Sequence, residues 1–84
     1  MAIRGYILID TEVGSAKAVD TALRELPGEY VHLVSVDTVT GPFDAIVQFE
    51  TPDLDQLGTW INEHVQTIPG VKRTTTCLAI WKGH

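Results

Sequence analysis

Hydrophobic positions change their spacing several times along this chain, and each change marks an element. Ile3–Asp10 (IRGYILID) is rich in β-branched and aromatic residues, which predicts a strand. Thr11 to Ser15 form a turn, with Ser15 placed to cap a helix. Ala16, Val19, Leu23 and Leu26 then recur at steps of three and four, the stripe of an amphipathic helix that Pro27-Gly28 stops. Tyr30–Val39 (YVHLVSVDTV) and Phe43–Glu50 (FDAIVQFE) predict two more strands. The short Thr40-Gly41-Pro42 link makes them an antiparallel hairpin. Thr51-Pro52-Asp53 opens a second helix, capped by Thr51 or Asp53, with Leu54, Leu57, Ile61, Val65 and Ile68 as its apolar stripe. Pro69-Gly70 ends it, and Val71–Trp81 supplies a fourth strand. The order is βαββαβ.

The two halves echo one another. Leu26-Pro27-Gly28 and Ile68-Pro69-Gly70 lie 42 residues apart, half the 84-residue length. At the same offset Val19 meets Ile61, Leu23 meets Val65 and Val36 meets Leu78. Two strand–helix–strand units of this kind make an α+β, ferredoxin-like sandwich: a four-stranded antiparallel sheet with two helices on one face. Tyr6-Ile7-Leu8-Ile9 and Val31–Val34 carry large or apolar groups on both sides, the pattern of a sheet buried on both faces. One chain has helices for one face only, so a second copy is expected on the other, as a dimer or a larger assembly. A domain this small buries a modest share of its surface and gains from such association.

With 44% hydrophobic and 20% charged residues, the chain has too much apolar surface for a disordered segment. No apolar run is long enough to span a membrane. The lone Cys77 excludes an internal disulfide framework, and Met1 to Asp10 does not read as a signal peptide. A reducing cytoplasm is therefore the expected compartment. Eleven acidic against six basic residues give a formal charge of −5. The basic residues are scattered, and only Lys72 and Arg73 are adjacent, so direct nucleic-acid binding is not expected.

Candidate chemistry is sparse. His32, His64 and His84 have no metal-ligand spacing among themselves or with Cys77, and no metal or other cofactor is expected. Ser15 reads as a cap, Ser35 as a strand residue and Cys77 as a small buried apolar group. Asp53 and Asp55 point to different sides of a helix start, which does not suit paired acid–base work. Trp60 and Trp81 are core or interface residues. The informative segment is Val39-Thr40-Gly41-Pro42-Phe43-Asp44, where an acid sits beside a glycine whose backbone can approach a ligand. Thr74-Thr75-Thr76 adds hydroxyls. A zwitterion needs such a mixture, a carboxylate for its ammonium and N–H or hydroxyl donors for its carboxylate. The same residues also suit a plain turn and a plain strand start.

Several segments in order resemble one family. Ala2–Ile9 as first strand, Leu26-Pro27-Gly28, Val39–Asp44, Ile68-Pro69-Gly70-Val71 and Thr74-x-Thr76 are similar to the ligand-binding and oligomerisation domain of the Lrp/AsnC amino-acid-responsive regulators, the RAM domain. The resemblance spans about residues 2 to 81 and implies the same fold, a dimer pairing its sheets in an α/β-barrel-like assembly, and often rings of dimers. It implies an amino-acid effector at contacts between dimers, with Thr40, Gly41, Phe43 and Asp44 at the pocket and Thr74 and Thr76 as its other wall. Pro42 departs from the small or acidic residue often found there. Family regulators usually carry a helix-turn-helix domain ahead of this one. The sequence begins at the first strand, so a stand-alone version is expected, without DNA binding of its own, that senses an amino acid and joins a full-length regulator. Two other readings stay open: a dimeric α+β-barrel enzyme of the small monooxygenase type, with His32, His64 or Trp60 in a cavity between sheet and helices, and a purely structural oligomerisation module.

Overall fold

A computed structural model of the chain describes residues 2–28 and 30–80. Trp81 and His84 lie outside the described residues. The order is β1 (Ile3–Thr11), α1 (Ala16–Arg24), β2 (His32–Thr38), β3 (Ala45–Thr51), α2 (Leu54–Trp60), a π-helical turn (Ile61–Val65) and β4 (Val71–Leu78). This is the expected βαββαβ arrangement. The sheet runs β2-β3-β1-β4 with all neighbours antiparallel, so each helix links two strands separated by a third. The fold is ferredoxin-like.

Alternation builds the core. Gly5, Ile7 and Ile9 of β1 and Ala45, Val47 and Phe49 of β3 are buried on the helix side, where Val19, Leu23, Leu57, Trp60, Ile61 and Val65 meet them. Each large side chain fully buried here stabilises the fold by roughly 1.5–3 kcal/mol. Gly5 lies under the Phe49 ring: a Cβ there would sit 2.5 Å from Phe49 Cζ and 2.6 Å from the Cys77 carbonyl oxygen. The position accepts no side chain.

Helix ends are set by local hydrogen bonds. Asp53 caps α2 by accepting the Asp55 N–H at 2.8 Å, one of the two caps expected, while the Thr51 hydroxyl donates to the Tyr30 carbonyl at 3.1 Å. Ser15 occupies the N-cap position of α1, but its side chain makes no capping bond. Its small size matters instead, because Gly70 (φ +98°) turns against it, and a Cβ on Gly70 would lie 2.7 Å from Ser15 Cβ. Helix α1 stops at Arg24, short of the expected Leu26, because Glu25 and Leu26 donate to carbonyls three residues back and tighten the last turn. Arg24 itself donates to the Val36 carbonyl at 2.7 Å, which fastens α1 to β2.

The second face of the sheet is uncovered in the single chain. Tyr6, Leu8 and Ile46 point there, with Leu8 opposite Ile46, and all three are half-buried. Cys77, opposite Tyr6 on the edge strand β4, is exposed rather than buried as its residue type suggested. An edge strand has a neighbour on one side only, and no helix covers this face. β2 is broken by a bulge at Val34, which turns that side chain 45% exposed.

Candidate functional site

The hairpin between β2 and β3 is closed by backbone bonds at its base. Val39 N–H donates to the Asp44 carbonyl at 3.0 Å, and Asp44 N–H donates to the Ile9 carbonyl at 2.9 Å. Thr40, Gly41 and Pro42 form an exposed tip, with Gly41 at φ +147°, while Phe43 and Asp44 are half-buried beneath it. The Asp44 carboxylate does not stand free. Its Oδ2 accepts the Thr11 N–H at 2.8 Å and the Thr11 hydroxyl at 3.0 Å, which ties the hairpin to the end of β1. Thr11 did not stand out in the sequence because its tie to Asp44 spans 33 residues.

Thr74 lies opposite Ile9, and Ile9 lies opposite Ala45. Asp44 and Thr74 are thus at the same end of the sheet on strands flanking β1, separated by two strand spacings, about 10 Å. The Thr74 hydroxyl accepts from Gln66 Nε2 at 3.2 Å. Thr76 is two residues further along β4, opposite Ile7. The structure therefore gathers Thr40, Gly41, Phe43 and Asp44 on one hairpin, sets Thr74 across β1 from them, and leaves Thr76 behind. Beside this end, Asp10 accepts from Arg73 at 2.8 Å. Thr38 donates to Asp20 at 3.1 Å, and the Arg24 hydrogen bonds to Asp20 hold that carboxyl below its ordinary value.

The groups proposed for an enzyme cavity do not converge between sheet and helices. His32 is exposed on β2, and His64 packs its ring against Trp60 with centroids 5.9 Å apart. Trp60 is 2% exposed and donates from Nε1 to the Pro27 carbonyl at 3.0 Å. Among the described residues, no three His, Cys, Asp or Glu side chains gather to hold a metal ion. No helix among them is long and apolar enough to cross a membrane. Two concavities, of about 420 and 400 Å³, lie at the opposite end of the sheet, where Tyr30 and Gln56 line both.

Comparisons with known proteins agree with this architecture. The family model described as Lrp/AsnC ligand binding domain matches residues 4–81. Among solved structures, TTHA0845 from Thermus thermophilus is 28% identical with a TM-score of 0.84, covering 98% of both chains. The hypothetical protein PHS023 from Pyrococcus horikoshii is 30% identical with a TM-score of 0.78, covering 100% of this chain and 95% of its own. A transcriptional regulator of Neisseria meningitidis, solved in complex with L-Met, shares the fold at 16% identity and a TM-score of 0.79. This chain covers 51% of that regulator's length. No curated protein sequence matches.

Proposed function

Since this chain belongs to the Lrp/AsnC ligand binding domain family, we propose that it is an effector-binding and oligomerisation module whose ligand is an amino acid. The carrying observation is the Val39–Asp44 hairpin, which presents a carboxylate, a hydroxyl and turn N–H groups together at an exposed end of the sheet. An ammonium pairs with the carboxylate, and the ligand's own carboxylate takes the donors. The Neisseria meningitidis relative with L-Met bound supports this ligand class. Asp44 uses Oδ2 for Thr11, so an arriving ammonium takes its other oxygen and finds the carboxylate already oriented.

In one chain the hairpin end is open. A second copy on the uncovered sheet face, against Tyr6, Leu8 and Ile46, and further copies at the hairpin, complete the pocket with Thr74 as its other wall. Mixed assembly with a full-length regulator follows from the same surfaces, and co-purification with a DNA-binding relative from the native cell tests it.

The direct test is a thermal-shift screen against the twenty amino acids, with native mass measured alongside. A ligand at 100 times its dissociation constant adds about 2.7 kcal/mol. That raises the melting point of a domain this size by several degrees. A response confined to one or two amino acids and abolished in Asp44→Asn supports the reading. A stable oligomer with no response to any of them favours the purely structural module.

A further inference from the structure

The cleft at the other end of the sheet has a chemistry of its own. Asp55, Thr59 and Glu63 recur every four residues along α2 and the π turn and form one row of side chains; Gln56, Trp60 and His64 form the next. Tyr30, 49% exposed, stands across from them. The volume of about 420 Å³ lies in the range of small-ligand sites. Its floor is rigid, because Trp60 is buried, bonded to the Pro27 carbonyl, and tilted at 53° against the His64 ring.

Charge distinguishes this cleft from an ordinary groove. No Lys or Arg lines it, and the ion pairs of the described residues, Asp20–Arg24 and Asp10–Arg73, lie elsewhere. Asp55 and Glu63 are eight residues apart, about 12 Å at the rise of a helix. Aromatic rings and a hydroxyl lie between them. The π turn, in which Gln66 N–H donates to the Ile61 carbonyl at 2.9 Å, carries both Glu63 and His64. Turns of this kind are rare and are often found at functional sites.

We propose that this cleft binds a linear aliphatic polyamine. One terminal ammonium pairs with Asp55 and the other with Glu63, while the alkyl body lies along the Tyr30 and His64 rings. A monoamine leaves one carboxylate unmatched, and anions are repelled by a wall with two carboxylates and a chain of formal charge −5. A divalent ion lacks a set of three clustered ligands among the described residues. The exposed Tyr30 ring adds attraction for an ammonium group.

Calorimetric titration with spermidine at low ionic strength tests the proposal, with butylamine and magnesium chloride as controls. Spermidine is expected to bind once per chain, with butylamine weaker by about tenfold or more, a loss equal to ~1.4 kcal/mol. Asp55→Asn and Glu63→Gln each weaken spermidine by about tenfold, leave the melting point unchanged, and keep any response to amino acids. Absence of binding overturns the proposal. So does affinity equal to that of magnesium, or affinity unaltered in both variants, since either result marks general attraction to an acidic protein. The cleft shares no residue with the hairpin or with Thr74, so this outcome and that of the amino-acid screen are distinguishable.

Discussion

At the hairpin end of the sheet the carboxylates are held by internal partners, whereas at the cleft end they face solvent and packing supplies the rigidity. Asp44 is fixed by two Thr11 donors and Asp10 by Arg73. Away from the hairpin, Asp55 and Glu63 line an open cleft whose floor is the buried Trp60, a member of the same core cluster as Phe49, which packs over Gly5. The difference concerns preorganisation. A carboxylate bonded to the backbone is already aimed and loses little freedom when a ligand arrives, but its charge is partly satisfied. A free carboxylate keeps its full demand for a cation and must be ordered on binding.

The contrast is most severely tested at Gly5. Gly5→Ala forces a Cβ into the Phe49 ring and the Cys77 carbonyl, and a loss of about 3 kcal/mol is expected, at the upper end for overpacking. Urea unfolding measures it, and a loss near zero would show that packing is not what holds the cleft end. Asp44→Ala removes the acceptor for a backbone N–H and a hydroxyl, with an expected loss of about 2 kcal/mol. Asp44→Asn keeps an oxygen for both donors and is expected to cost under about 1 kcal/mol. A large loss in Asn as well would mean that charge, not bonding, secures the hairpin. At the cleft, Asp55→Asn and Glu63→Gln should change stability by no more than about 0.5 kcal/mol, as exposed groups without internal partners do.

The smallest effect is a pH dependence at Asp20. Hydrogen bonds from Arg24 hold its folded pKa below the ordinary 3.8. The depressed value means its contribution is complete above the unfolded pKa and is lost as the pH falls through the folded one. Urea midpoints followed from neutral pH into the acid range should therefore decline less steeply in Asp20→Asn than in the parent chain. Because the pair is exposed, the difference is small.

Much of the fold was legible in the order of residues. Strand composition marked IRGYILID and FDAIVQFE, the three- and four-residue stripes marked inward Val19, Leu23, Leu57, Ile61 and Val65, and the repeated Leu/Ile-Pro-Gly motif located both helix stops. Asp53 read correctly as a cap because capping is decided within three residues. Ser15 read correctly as the N-cap position but not as a capping side chain, and Cys77 read wrongly, since their surroundings come from distant chain: Gly70 turns against Ser15, and Cys77 falls on an edge strand facing no helix. The hairpin residues stood out as a group through turn chemistry, yet nothing local pointed to Thr11.

By itself, then, the chain's order of residues determined the elements, the inward stripes of the helices, the hairpin and the βαββαβ order, because periodicity and turn propensity act over a few neighbouring positions. Only the tertiary structure decided that Asp44 would be bound by Thr11, that Thr74 would stand across β1 from the hairpin while Thr76 would not, and that Tyr30 would face Asp55 and Glu63 across a cleft. Those relations depend on strand register and helix docking, which bring together groups tens of residues apart and are set by the packing of the whole core.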